Sequence, residues 1–241
     1  LFFKFANEKS TNKNIIEHIA LKPSRFFTLF KIFTISRTDF KKVQQSKLKA
    51  NDWLWKVLVY GSYLDFNFIN RLKSEYNTVG KIINENGILF KQGLKRKDED
   101  KKINVKVLVG KPFINTKRRQ LRPFEIIDSA ETWQQEEVGY IHKIDGRPYT
   151  DLFKPYSLLI AGGLFKDLTS KAAINKEERV FTSSIRAFKI DNEKQLDILY
   201  NVNIAICSDM FAYYMLNTGA SAAIEREESE DEEIENFLYL N

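Results

Sequence analysis

A single cysteine, two histidines and five prolines among 241 residues exclude several kinds of protein at the outset. Cys207 has no second thiol to pair with, so an internal disulfide is impossible, which suits a reducing cytoplasm. It stands in NIAICSDMFAYY and reads as a small buried apolar residue. His18 and His142 lie far from each other and from Cys207, so the spacing of a zinc site is missing and both read as structural histidines. The ten glycines form no phosphate-cradling loop, and the pair in AGGL, 161–164, reads as a turn after the strand SLLI. There is no G-x-S-x-G elbow, no His-rich metal motif and no spacing that would pair two carboxylates in a pocket. No apolar run approaches the ~20 residues of a membrane span, and no signal-peptide pattern follows Leu1. A self-contained catalytic or metal centre is not what these residues describe.

What is present is a real core and a lopsided charge. The chain is 43% hydrophobic and 13% aromatic, with 19 Phe, and its length suits one large or two small domains. Its opening, LFFKFANEKS, reads as the interior of a longer protein, so a fragment is expected. The net charge of +6 hides an asymmetry. Residues 1–122 carry 27 Lys and Arg against 10 Asp and Glu, whereas residues 123–241 carry 11 against 22. Residues 225–235 alone hold eight acids and one Arg. A charge-split chain points to a polyanion-binding face in the first half. The plain alternatives are a solvated basic surface and, for the tail, a solvated face rather than an acidic interaction surface or electrostatic shield.

Local patterns give an α+β protein. RFFTLFKIFTI, 25–35, is aromatic and β-branched and reads as a strand. TDFKKVQQSKL, 38–48, reads as a short helix capped by Thr38 or Asp39. NDWLWKVLVYG, 51–61, suits a helix or a buried strand, and LDFNFINRLKSEY, 64–76, a helix with Phe68, Ile69 and Leu72 on one face. From Val79 to about Ile190, short β-rich runs (VGKII, ILF, NVKVLVG, FEIID, VGYIHKI, SLLIAGG, RVFTSSIRAFKI) alternate with turn signals. Residues 192–219 read as one long helix or two short ones, with Gly219 as a C-cap, and the acidic segment behind them as a helix. Trp53, Trp55 and Trp133 read as core residues rather than stacking platforms.

One ordered series of motifs is more specific. DWLWKVLVYGSYLDFNFINRLK (52–73), TVGKIINENGILFKQGLKR (78–96), LVGKPFI (108–114), LFKPYSLLI (152–160), FTSSIRAF (181–188) and VNIAICSDMFAYYMLNTGASAAIEREESEDEEIENF (202–237) follow one another. In that order they resemble the target-recognition region of bacterial N6-adenine DNA methylases of restriction–modification systems. The likeness is to the C-terminal domain of TaqI-type methylases and to type I specificity subunits, over residues 28–237. The family's Asn/Asp-Pro-Pro-Tyr/Phe methyl-transfer motif and its glycine-rich S-adenosylmethionine segment are missing, and no two prolines are adjacent here. ICSDMF stands where the family has Asn-Ser, so no role passes to Ser208.

The resemblance implies a sequence-specific double-stranded-DNA binder that is not itself an enzyme and holds no cofactor. S-adenosylmethionine would belong to the catalytic domain of the parent methyltransferase. It implies a division into a methylase-core remnant (1–50), connecting helices (51–78), a mostly β recognition domain with long loops (79–191), and a C-terminal helix with the acidic tail (192–241). The partners it implies are duplex DNA, the missing catalytic domain and a restriction or specificity subunit, in the cytoplasm, with no membrane. Two basic clusters then become candidate DNA contacts: Lys91, Gln92, Lys95, Arg96 and Lys97, and Lys117, Arg118, Arg119, Gln120 and Arg122. Lys and Arg would grip phosphates; Gln92 and Gln120 could read adenine, and Arg96 or Arg119 guanine. Gly93 would let the backbone approach the DNA closely. If about six phosphates are neutralised, affinity falls with a log–log salt slope of about −5. KRKDEDKK, 95–102, is equally a self-neutralising exposed loop. A protein–protein module docking through the C-terminal helix and acidic tail is the competing reading, and a nuclease with an unrecognised site a third.

Overall fold

The computed structural model describes residues 14–20, 25–95, 103–116, 119–144, 147–162, 168–219 and 231–239. The chain is α+β, as its patterns indicate, and falls into two compact units. The first comprises residues 14–71 with 216–219, and the second residues 72–215 with 231–239.

The first unit contains β1 (Ile15–Ile19), α1 (Arg25–Phe30), β2 (Phe40–Gln44), α2 (Gln45–Ala50), α3 (Leu54–Tyr60) and the start of α4 (Tyr63–Glu75). β1 and β2 form an antiparallel hairpin, Ile15 opposite Gln44 and Ile19 opposite Phe40. Residues 25–35 are a short helix followed by chain without regular structure, not a strand. Residues 38–48 are likewise not one helix: a 3-10 turn at Arg37–Asp39 leads into β2 and then α2. The cap is Ser36, two residues before Thr38 and three before Asp39, and the Asp39 carboxylate accepts from Ser36 N (2.7 Å) and Ser36 Oγ (2.9 Å). α3 buries Leu54, Val57 and Leu58, and its C-terminal carbonyls are held by the Lys41 ammonium, 2.6 Å from both Leu58 O and Gly61 O. Trp53 is buried and stacks on Phe66, but Trp55 is exposed, a correction to the expected core of three tryptophans.

The second unit continues with α5 (Val79–Glu85), β3 (Leu89–Gln92), β4 (Ile103–Asn104), β5 (Phe113–Ile114), β6 (Leu121–Arg122), β7 (Glu125–Ile126), β8 (Glu137–Val138), β9 (Lys143–Ile144), β10 (Arg147–Pro148), β11 (Ser157–Ala161), β12 (Ala172–Asn175), β13 (Val180–Phe181) and β14 (Ile185–Lys189). It ends with α6 (Leu196–Ile206), α7 (Asp209–Thr218) up to Met215, and α8 (Asp231–Glu235). Four strands make an antiparallel sheet in the order β12-β11-β14-β3, with β3 on one edge. β11 and β14 are buried at every position, because both faces are covered. Leu159, Ala161, Ala173, Ile185 and Ala187 point into one core together with Leu108, Ile114, Trp133, Phe153 and Phe181. By strand alternation Leu158, Ile160, Arg186 and Phe188 face the opposite side, where α6 packs.

Two runs expected as strands are not. VGKII belongs to α5, because Thr78 caps it, accepting from Lys81 N at 3.2 Å. NVKVLVG makes a 3-10 turn at Lys106–Leu108, with Asn104 Oδ1 accepting from Lys106 N at 3.0 Å. Residues 192–219 are two helices broken at Cys207–Ser208, and the Ser208 hydroxyl accepts from Phe211 N at the start of the second. Cys207 is only partly buried. No helix among the described residues is long and apolar enough to cross a membrane.

Candidate nucleic-acid interface

Both basic clusters of the sequence are tied to one segment, 180–185. On one side, Gly93 N donates to Ile185 O (3.0 Å), Leu94 N to Phe181 O (3.0 Å), and Ser183 N to Leu94 O (2.8 Å). On the other, β5 runs parallel to β13, and the Thr116 hydroxyl meets that of Ser184 at 3.1 Å. Clusters some 25 positions apart in sequence therefore leave the scaffold from a shared support. The Gly93 Cα lies so close to this segment that a Cβ there would stand 2.6 Å from the Thr182 carbonyl oxygen and press on that of Phe181. The glycine is required for packing within the protein, a role the sequence reading did not assign to it.

Lys91 and Gln92 lie on the sheet-edge strand β3, opposite Ala187 and Arg186 respectively, and Lys95 follows three residues on. An edge strand exposes one row of backbone groups and its side chains without a neighbour to cover them. Here the edge opens into a cleft of about 410 Å³ lined by Phe90, Lys91, Gln92, Lys95, Tyr140, His142 and Asp231. Phe90 stacks on Phe188 with ring centroids 4.1 Å apart, which fixes one wall. Lys95 and Tyr140 exchange backbone hydrogen bonds of 3.1 and 3.2 Å, which fix the other.

The cleft is electropositive. Burial pushes the His142 imidazole below its ordinary value, the Lys91 ammonium lowers it further, Asp231 opposes the shift and Lys95 adds to it. His142 Nδ1 is 3.3 Å from the Tyr140 hydroxyl, while Nε2 is enclosed with no hydrogen-bond partner among the described residues. Behind Gln92 stands Arg186, buried, with its guanidinium against Gly162 and its Nε bonded to Asp231 Oδ1. Gln92 Nε2 approaches the same carboxylate at 3.4 and 3.5 Å.

The second cluster is divided. Arg119 is exposed on a turn with φ 55°, and its N–H donates to Thr116 O at 3.1 Å. Arg122 is exposed on β6, opposite Glu125 of β7. Gln120 is not a base reader: it is buried, and its Oε1 accepts from Asn115 N at 2.5 Å, closing the turn that presents Arg119. Arg96, Lys97, Lys117 and Arg118 lie outside the described residues.

Arg186, Tyr140 and His142 were not among the expected contacts. Arg186 carried a readable signal: a charge between the apolar neighbours Ile185 and Ala187 of a strand must be paired or functional once buried. Other buried cations serve the fold, since Lys189 Nζ donates to Pro155 O and Ile190 O, and Arg179 pairs with Asp128 and Glu177. Among the described residues no group of three or more His, Cys, Asp or Glu could hold a metal ion. Compared with known proteins, the chain matches no family model and no curated protein.

Proposed function

We propose that this chain is a double-stranded-DNA recognition module, serving an S-adenosylmethionine-dependent adenine-N6 methyltransferase of a restriction–modification system. The observation that carries the DNA reading is the common support of the two basic clusters. Lys91 and Lys95 at the β3 edge and Arg119, whose N–H is bonded to Thr116 O, are carried by elements that share the 180–185 segment. Phosphate grip by several cations on fixed loops, with amide and guanidinium groups for base edges, is what duplex recognition needs. The assignment to adenine methylation rests on the ordered motifs of the sequence. Methyl transfer would fall to a separate catalytic domain, with a restriction or specificity subunit as a further partner, in the cytoplasm.

Fluorescence anisotropy of a labelled duplex tests this. Binding should weaken with a log–log salt slope of about −5. No binding even at low salt would overturn it and favour protein–protein docking. That second reading has an observation of its own: α6 buries Leu199, Val202 and Ile206 but leaves Ile204 59% and Tyr200 38% exposed. In the first unit, Leu29, Phe30, Ile32, Phe33 and Ile35 are also exposed.

A further inference from the structure

Among the described residues, the one carboxylate that lines the basic cleft belongs to the acidic segment of the chain itself. Asp231 opens α8, and its side chain is 45% exposed, whereas that of Arg186 is only 11% exposed. The pair is therefore asymmetric. The acid can return to water at little cost; the guanidinium cannot be left without an anion. One turn further along α8, Glu235 is raised above the ordinary carboxylate range by burial and by Asp231, while Lys91 pulls it down. Asp231 and Glu235 thus both act on the cations of the cleft. The chain that follows α8 is firmly held. Phe237 is fully buried against Phe211 and Tyr214, Val79 N donates to Phe237 O (2.7 Å), and Tyr239 N donates to Asn77 O (2.8 Å). α8 is a fixed mount that delivers a carboxylate to a buried arginine at the edge of an electropositive cleft.

We propose that Asp231 occupies the seat of a phosphate: its carboxylate is an internal competitor that a phosphodiester group of the nucleic acid displaces, leaving Arg186 as a phosphate-binding residue. This rests on the DNA reading above and adds its regulation. A carboxylate and a phosphodiester each present two anionic oxygens to a guanidinium, so one can replace the other without stranding the charge. The site itself needs no rearrangement of the sheet, because Arg186 is already aligned by its pairing with Gln92 across β14 and β3 and by the space at Gly162. The acidic segment then sets a threshold, so that weak polyanions are refused and a duplex gripped by Lys91 and Lys95 is accepted.

Asp231→Asn in the full chain tests this, with a labelled duplex and inorganic tripolyphosphate as probes. Duplex affinity should rise about threefold or more, with a salt slope steeper by about one, because one more cation meets phosphate. Adding Arg186→Gln to that variant should remove the gain. If the pair is only structural, Asp231→Asn lowers the melting temperature and leaves affinity unchanged or weaker, which overturns the exchange but not the DNA reading. If tripolyphosphate binding rises while no form binds duplex, the exchange stands and the DNA reading falls. Binding of neither probe by any form overturns both. Should Asp231→Asn not fold, Glu235→Gln decides, since it keeps the arginine pair: a smaller gain of the same sign supports the exchange, and none overturns it.

Discussion

Replacing Lys91 and Lys95 together by Ala should weaken duplex binding at least about tenfold at ~0.1 M salt and flatten the salt slope by about two. Both side chains line the cleft, and neither belongs to the hydrophobic core. The fold should survive, because Lys95 holds its place through backbone bonds to Tyr140 that Ala keeps. One side effect has a known sign. Burial, Lys91 and Lys95 all depress the His142 pKa, so removing the lysines lets it rise toward its ordinary value. Near pH 6 the variant would regain part of a positive charge, and the loss in affinity would shrink. The comparison therefore belongs at pH 8, where the imidazole is neutral in both proteins. An affinity and slope equal to the parent's at that pH would remove the β3 edge from the interface.

Gly93→Val should destabilise the second unit by about 3 kcal/mol or more, or abolish its cooperative unfolding. A Cβ at this position meets the carbonyl oxygens of Phe181 and Thr182, which are backbone and cannot swing aside as a side chain would. Gly87→Ala is the control. Its φ of 64° disfavours a side chain, but nothing lies within 4 Å, so about 1 kcal/mol is expected. Urea denaturation of both variants separates steric conflict from loss of backbone freedom. If Gly93→Val were as stable as the parent, residues 93–94 would not be packed on 180–185, and the shared support of the two basic clusters would be lost with it.

Much of the framework was legible in the residues. α4 follows from apolar spacing ended by Tyr76 and β11 from an unbroken apolar run, whereas the apolar run that ends at Gly61 suited a buried strand as well as α3. Where strands were expected and helix or turn is found, local caps outweigh β propensity. Thr78 starts α5 despite its Val and Ile, and Asn104 folds the valines behind it into a turn. The charge of the site was visible, but its sorting was not. Gln120 looks like a surface reader beside three cations, yet its side chain closes its own turn. Arg186 stands out as a charge between apolar strand neighbours, but its partner Asp231 lies 45 positions away, a pairing that no local pattern encodes. Gly93 was read as room for DNA because its real neighbours, Phe181 and Thr182, are distant in sequence.

The central claim is that the chain reads duplex DNA, and enrichment of random-sequence duplexes on the purified protein, at low and at near-physiological salt, tests it most directly. A single motif enriched at both salt concentrations is the predicted result. Recovery of no duplex at either concentration would contradict the claim.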